Sequence, residues 1–307
     1  MRLTTHYMFQ KNIESITNAM SNGDDINSRL AAGQTLLTPS DDPAGAALAV
    51  SLQNALAGMS QYDTARTYAQ DALGQENNVL DSIGNILTSS LSEKIIAGGD
   101  GSMNDEARQA IATELQGIRD SLRDLGNTRD SSGRYIFSGY KTGTEPFGQD
   151  GHYAGGDTAM TQQVSDSTTM QVGHTGQQLF MSGSDTDLLT SIDQAINALN
   201  KPVVNADDRK ALQDTLDSVN KAVKKNIDNL GKIQAQVGTS LQQIDSLGES
   251  SDTQKISLTS RLQQAVGSDP DTSITLITQS KMAEFALSSS MVVFQSMQKM
   301  SIFNYIG

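Results

Sequence analysis

Residues 212–244, LQDTLDSVNKAVKKNIDNLGKIQAQVGTSLQQI, carry Leu212, Leu216, Val219, Val223, Ile227, Leu230, Val237, Leu241 and Ile244 at intervals of three, four or seven. An α-helix returns to the same side every 3.6 residues, so these side chains form one apolar stripe with polar residues around it. No proline interrupts the run, which opens at Asn205 with Asp207 and Asp208 in its first turn. Acids there are favoured by the positive end of the helix dipole. A long helix with so narrow a seam needs a partner of the same kind.

Working outward, the partners are present. Ile111, Leu115, Ile118, Leu122 and Leu125 repeat the 4-3-4-3 spacing behind Asp105 and Glu106. Leu188, Leu189, Ile192 and Ile196 start a shorter segment. Upstream, Asp41-Asp42-Pro43 predicts a helix start, with Asp42 as cap and Pro43 at the first helical position, where its missing N–H costs nothing. That helix, faced by Leu73, Leu80, Ile83 and Leu87, is expected to reach about residue 96, roughly 80 Å at 1.5 Å per residue, and to stop at the Gly98-Gly99-Asp100-Gly101 loop.

The two ends of the chain carry their own apolar patterns. Phe9, Ile13, Ile16, Met20, Gly23, Asn27 and Leu30 are spaced as a coiled-coil seam, with Asn27 a polar register mark and Gly23 a weak point. Loop signals follow at Gly33 and Thr38-Pro39-Ser40. After Ser268-Asp269-Pro270 the last segment, 274–306, is apolar nearly all round: Phe285, Leu287, Met291, Val292, Val293, Phe294, Met297, Met300 and Phe303. Its uncharged stretch, 285–298, is 14 residues with four Ser, short of the roughly 20 apolar residues a membrane span needs. Such a helix demands a protein partner. The expected assembly surface is therefore Phe9, Ile13, Ile16, Met20 and Leu30 with Phe285, Leu287, Met291, Val292, Phe294, Met297, Met300 and Phe303.

Between these helices the pattern changes. Residues 133–183 hold ten of the 26 glycines and six of the 14 Phe and Tyr residues, with no helical stripe. Short strands are expected at 135–140, 160–164 and 168–172 between Gly-rich turns. The fold class is mainly α with a small β insert, the N- and C-terminal halves forming a long antiparallel helical bundle or coiled coil. Three parts are expected: a terminal coiled-coil domain of 1–43 plus 268–307, a helical bundle of 44–132 plus 184–267, and a β domain of 133–183.

Chemistry is scarce. Asp and Glu number 35 against 22 Lys and Arg, a net charge of −13 that repels phosphate backbones and makes nucleic acid a poor candidate partner. Without cysteine there is no disulfide, thiolate nucleophile or Cys-based zinc site. No P-loop, Rossmann or G-x-S-x-G motif occurs, so no cofactor or catalytic residue is assigned. His152 and His174, with Asp150 and Asp157 nearby, lack any ligand spacing and read as surface turn residues rather than a metal site. The chain reads as a self-assembling structural protein and not an enzyme.

Three stretches resemble the axial proteins of the bacterial flagellum. Ala32-Gly33 with Thr38-Pro39-Ser40-Asp41-Asp42-Pro43-Ala44-Gly45-Ala46-Ala47 resembles the flagellin-type N-terminal hallmark. GKIQAQVGTSLQQI (231–244) and the end of the chain from Ser296 resemble the C-terminal helices of that family. Gly133-Arg134-Tyr135-Ile136-Phe137-Ser138-Gly139-Tyr140-Lys141-Thr142 with Pro146-Phe147 is similar to the hook-associated members on the filament side. The resemblance implies a structural protein at the hook–filament junction, outside the cell, whose helix-start motif is Ser40, Asp41, Asp42 and Pro43. Its implied partners are copies of itself in a ring-like layer, the first hook-associated protein, flagellin, an export chaperone and the type III export apparatus, with no nucleic acid and no membrane. It also implies export without a cleaved signal, and Met1-Arg2-Leu3-Thr4-Thr5-His6 has no apolar leader core. Two rivals stay open on the residues: a short flagellin, and a secreted binding module that displays the insert.

Overall fold

The computed structural model describes the backbone of residues 2–306 and the side chains of 6–299. Eight α-helices are described: α1 (Arg2–Ala32), α2 (Pro43–Asn85), α3 (Ser92–Gly98), α4 (Asp105–Gly126), α5 (Gly176–Phe180), α6 (Leu188–Leu199), α7 (Ala206–Val266) and α8 (Pro270–Ile306). One π turn, Ile86–Leu91, links α2 to α3. It widens the helix where Ser92 donates through both its N–H and its hydroxyl to the Leu87 carbonyl, five residues back. Leu87 and Leu91 stay buried across it.

Strands β1 (Thr161–Gln163) and β2 (Thr169–Gln171) form an antiparallel hairpin with Gln162 opposite Met170. The strand expected at 135–140 does not form. The Ser138 hydroxyl donates back to the Tyr135 carbonyl, and the Lys141 and Gly156 N–H groups both donate to the Ser138 carbonyl. These bonds curl the segment into turns, leaving only an isolated bridge between Tyr135 and Arg129.

The chain folds as two units, residues 1–59 with 251–307, and residues 60–250. Both boundaries fall inside helices, α2 and α7, rather than at the loops near 43 and 267. Those loops are packed within the first unit.

In the 60–250 unit the stripes of α2, α4, α6 and α7 meet in one core that includes Leu80, Leu115, Ile192 and Val223, all under 1% exposed. The 133–183 insert buries Phe137, Phe147, Val164, Met170, Leu179 and Phe180 in this same core instead of closing one of its own. Charged side chains tie it down further. Arg66 of α2 donates to the Val164 carbonyl at 2.9 Å. Arg119 of α4 donates to the Gln149 carbonyl at 3.2 Å and to Asp193 at 3.0 Å.

In the other unit α1 packs against α8, beside the start of α2 and the end of α7. Its buried apolar side chains among the described residues are few: Ile26, Ala49, Leu52 and Leu276.

Candidate assembly surfaces

The α1–α8 pair is built from contacts that rise along one helix and fall along the other, so the two run antiparallel. Phe9 meets Phe294 with ring centroids 5.3 Å apart, and the Ser280 hydroxyl donates to Asn27 Oδ1 at 3.1 Å. Ser280 is buried, so Asn27 supplies the partner its hydroxyl needs. The Asn12 amide donates to the Met297 sulfur.

These contacts use only part of the expected stripe. Ile16, Leu287, Phe294 and Met297 are half-buried, while Phe9, Ile13, Met20, Leu30, Phe285, Met291 and Val292 are exposed, Phe285 by 75%. Met300 and Phe303, also expected here, lie outside the described side chains. Among the described side chains of α1 the most buried is Ile26, which is off the predicted stripe. An open cleft of about 420 Å³ runs between the helices, lined by Ile13, Ile16, Met291 and Phe294 with three polar neighbours. The pair thus leaves apolar surface on both helices that no side chain among the described residues covers.

The pair is anchored at one end by two matching turns. Gly33 and Gly267 follow α1 and α7 with φ of +67° and +65°. Each turn is closed by the next residue's N–H reaching back to Arg29 O or Gln263 O, the left-handed helix stop that glycine permits. Each is followed by an Asp-Pro helix start. Asp42 Oδ1 accepts from Ala44 N at 3.1 Å, and Asp269 Oδ2 from Thr272 N at 3.1 Å.

The two turns also bond to each other. Thr35 N donates to the Val266 and Gly267 carbonyls, and Leu36 N to Val266 O. Arg29 reaches the Thr35 carbonyl at 2.8 Å and lies 3.7 Å from Asp41.

Within the helix-start motif the residues divide their work. Asp42 accepts from Ala44 N at the start of α2, and Pro43 is the first helical residue. Asp41 turns back instead and accepts the N–H groups of Thr38 and Leu37. The Thr38 N–H holds the Asp41 carboxyl below the ordinary range, assisted by Leu37 N–H and Arg29 and opposed by partial desolvation. Ser40 pairs with the Thr38 hydroxyl. Arg29 and Thr35 were not singled out from sequence. The glycine just past each helix, followed by Asp-Pro, is the signal that marks this joint.

The histidines are the clearest departure. His152 sits exposed in a turn, its N–H donating to Asp150. His174, expected on the surface, is buried against Glu76 of α2, its Nδ1 2.8 Å from Glu76 Oε1. Burial by itself lowers the His174 pKa, but the bond to Glu76, the Glu76 charge and Gln236 outweigh it and hold the ring above its usual value. Among the described residues no three His, Asp or Glu side chains are grouped to hold a metal ion, and no helix is long and apolar enough to cross a membrane.

Flagellar hook-associated protein 3 of Escherichia coli K12 is 35% identical to this chain over 317 residues, spanning 99% of both. The chain belongs to the flagellar hook-associated protein 3 family. Flagellar hook-associated protein 3 of Salmonella typhimurium LT2 is 37% identical, again over 99% of each chain. Residues 3–142 match the bacterial flagellin N-terminal helical region, which takes in α1, the Ser40–Pro43 motif and the first turns of the insert.

Solved structures of this family share the fold. FlgL of Xanthomonas campestris matches with a TM-score of 0.62 at 18% identity, over 69% of this chain and 99% of that one. The flagellar junction protein FlgL of Legionella pneumophila gives 0.59 at 17% identity, over 72% and 100%. The hook-associated protein 3 family is a structural component of the flagellum at the hook–filament junction.

Proposed function

We propose that this chain joins the hook, through the first hook-associated protein, to the flagellin filament, and that it assembles with its own copies through α1 and α8. The observation that carries this reading is the α1–α8 pair, whose contacts leave Phe285, Val292, Met291 and Ile13 in water. Burying those exposed apolar faces against neighbouring copies is favourable, and the thin interior of the pair offers little within the chain to compete for them. The expected surface of Phe9, Ile13, Ile16, Met20, Leu30, Phe285, Leu287, Met291, Val292, Phe294, Met297, Met300 and Phe303 is the one we assign to this role.

The same reading makes the protein extracellular and exported through the flagellar type III apparatus, met beforehand by an export chaperone. It has no enzymatic role. The deciding experiment is microscopy of cells that carry a labelled copy of this chain in place of their own junction protein. Label in one thin zone between hook and filament supports the proposal. Label along the filament would assign the chain as a short flagellin.

A further inference from the structure

We propose that Glu76, His174 and Gln236 form a proton-dependent clasp that fastens the 133–183 insert to α2 and α7. Three segments distant in sequence converge on one imidazole. Glu76 Oε1 accepts both the backbone N–H of His174, at 3.0 Å, and its ring Nδ1, at 2.8 Å. On the other side of the ring, Nε2 lies 3.1 Å from Gln236 Oε1 on α7. In the proposed clasp both ring nitrogens donate, one to the carboxylate and one to the amide oxygen, so the imidazole carries two protons and a positive charge.

The surroundings make that charge consequential. Side chains of the pair are 8% and 3% exposed, and Glu76 Oε2 is buried with no hydrogen-bond partner. The buried carboxylate therefore has His174 as its counter-charge, and losing the ring proton leaves a buried anion facing a neutral group. No other charged side chain among the described residues bonds to either member. α7 contributes neutral Gln236, and Tyr153 of the insert is bonded elsewhere. That phenol donates to the Phe137 and Gly156 carbonyls, and burial pushes its pKa up, out of the neutral range.

The clasp sits where the insert returns to the helices. Thr175, the next residue, caps α5 in a reciprocal capping box with Gln178, and the Gly176 N–H donates to the Phe137 carbonyl at 2.7 Å. Holding His174 thus holds the entry to α5 and one of the most buried rings of the insert.

The direction of the pH effect follows from the raised pKa of His174. Its stabilisation is complete below the unfolded value of about 6.5 and is lost as pH rises through the folded value. Each unit of elevation is a tenfold factor in the folding equilibrium.

The test uses the full chain. Imidazole nitrogen shifts are followed by NMR from pH 5.5 to 9, and melting curves are recorded over the same range for the wild type, His174→Gln and Glu76→Gln. The expected result is that His174 is doubly protonated at pH 6 and titrates above the ordinary histidine value. The melting temperature falls from pH 6 to 9 in the wild type, and that fall is absent from both variants. A His174 ring that is neutral at pH 6, or a wild-type slope that survives in His174→Gln, would overturn the clasp. The NMR measurement needs no variant, so a substitution that fails to fold does not shelter the proposal.

Discussion

Phe9 and Phe294, separated by almost the whole chain, meet with ring centroids 5.3 Å apart and planes tilted by 35°. A tilted aromatic pair of this kind contributes about 0.5–1.5 kcal/mol beyond the area it buries. It joins α1 to α8, while the large core lies elsewhere, among the helices of the 60–250 unit. Changes at this pair should therefore separate assembly from folding.

Phe294→Asp tests that separation. The substitution removes the ring contact and places a charge at the edge of the apolar cleft. Incorporation into flagella should be lost, while the main calorimetric transition moves by no more than about 0.5 kcal/mol, the range of changes outside a core. A large drop in that transition would show that α8 supports the core of the free protein.

Asp42→Ala removes the acceptor for Ala44 N at the start of α2. Losing such a cap costs about 0.5–2 kcal/mol. Asp42→Asn should recover most of it, because the amide oxygen still accepts. Urea unfolding of the three proteins, read by circular dichroism, checks the order.

Gly267→Ala strains a residue at φ +65° and drives a Cβ to within 1.8 Å of the Thr35 hydroxyl oxygen. The backbone cost alone is about 1 kcal/mol, and the clash forces the 33–36 turn away from α7. Faster amide exchange at Thr35 and Leu36, whose N–H groups donate to the Val266 carbonyl, is the expected signature.

Phe147→Ala empties the middle of an aromatic cluster in which Phe147 lies 5.1 Å from Phe180 and 5.4 Å from Tyr153. Truncating a fully buried Phe costs about 3–5 kcal/mol. Tyr140→Ala, at a 58% exposed ring in the same insert, should cost far less. Chemical denaturation of both tells whether the insert shares the core of the unit or merely rests on it.

The helices were legible because their information is local. The stripe from Leu212 to Ile244, the 4-3-4-3 run from Ile111 and the Asp42-Pro43 start each need only neighbours within a turn or two. What stayed hidden depended on distant partners. His174 looks like any polar turn residue until Glu76, 98 positions away, is brought beside it. The segment 135–140 has the aromatic and β-branched composition of a strand, yet Ser138 bonds back to Tyr135 and turns it. On α1 the heptad spacing picked out Ile13 and Met20, which are exposed, and passed over Ile26, which meets the interior. If, as we propose, this helix serves partners outside the chain, its regular stripe reports that seam and not the contacts within one copy.

The paired turns at Gly33 and Gly267 have a mechanical consequence. Because Thr35 and Leu36 bond directly to the last carbonyls of α7, the root of α1 is riveted to the very point from which α8 departs. Load applied to the free ends of α1 and α8 is handed over at a single fixture to the start of α2 and the end of α7 together. Sliding α1 past α8 therefore has to break the Ser280–Asn27 bond and the Phe9–Phe294 contact as well as strain this joint.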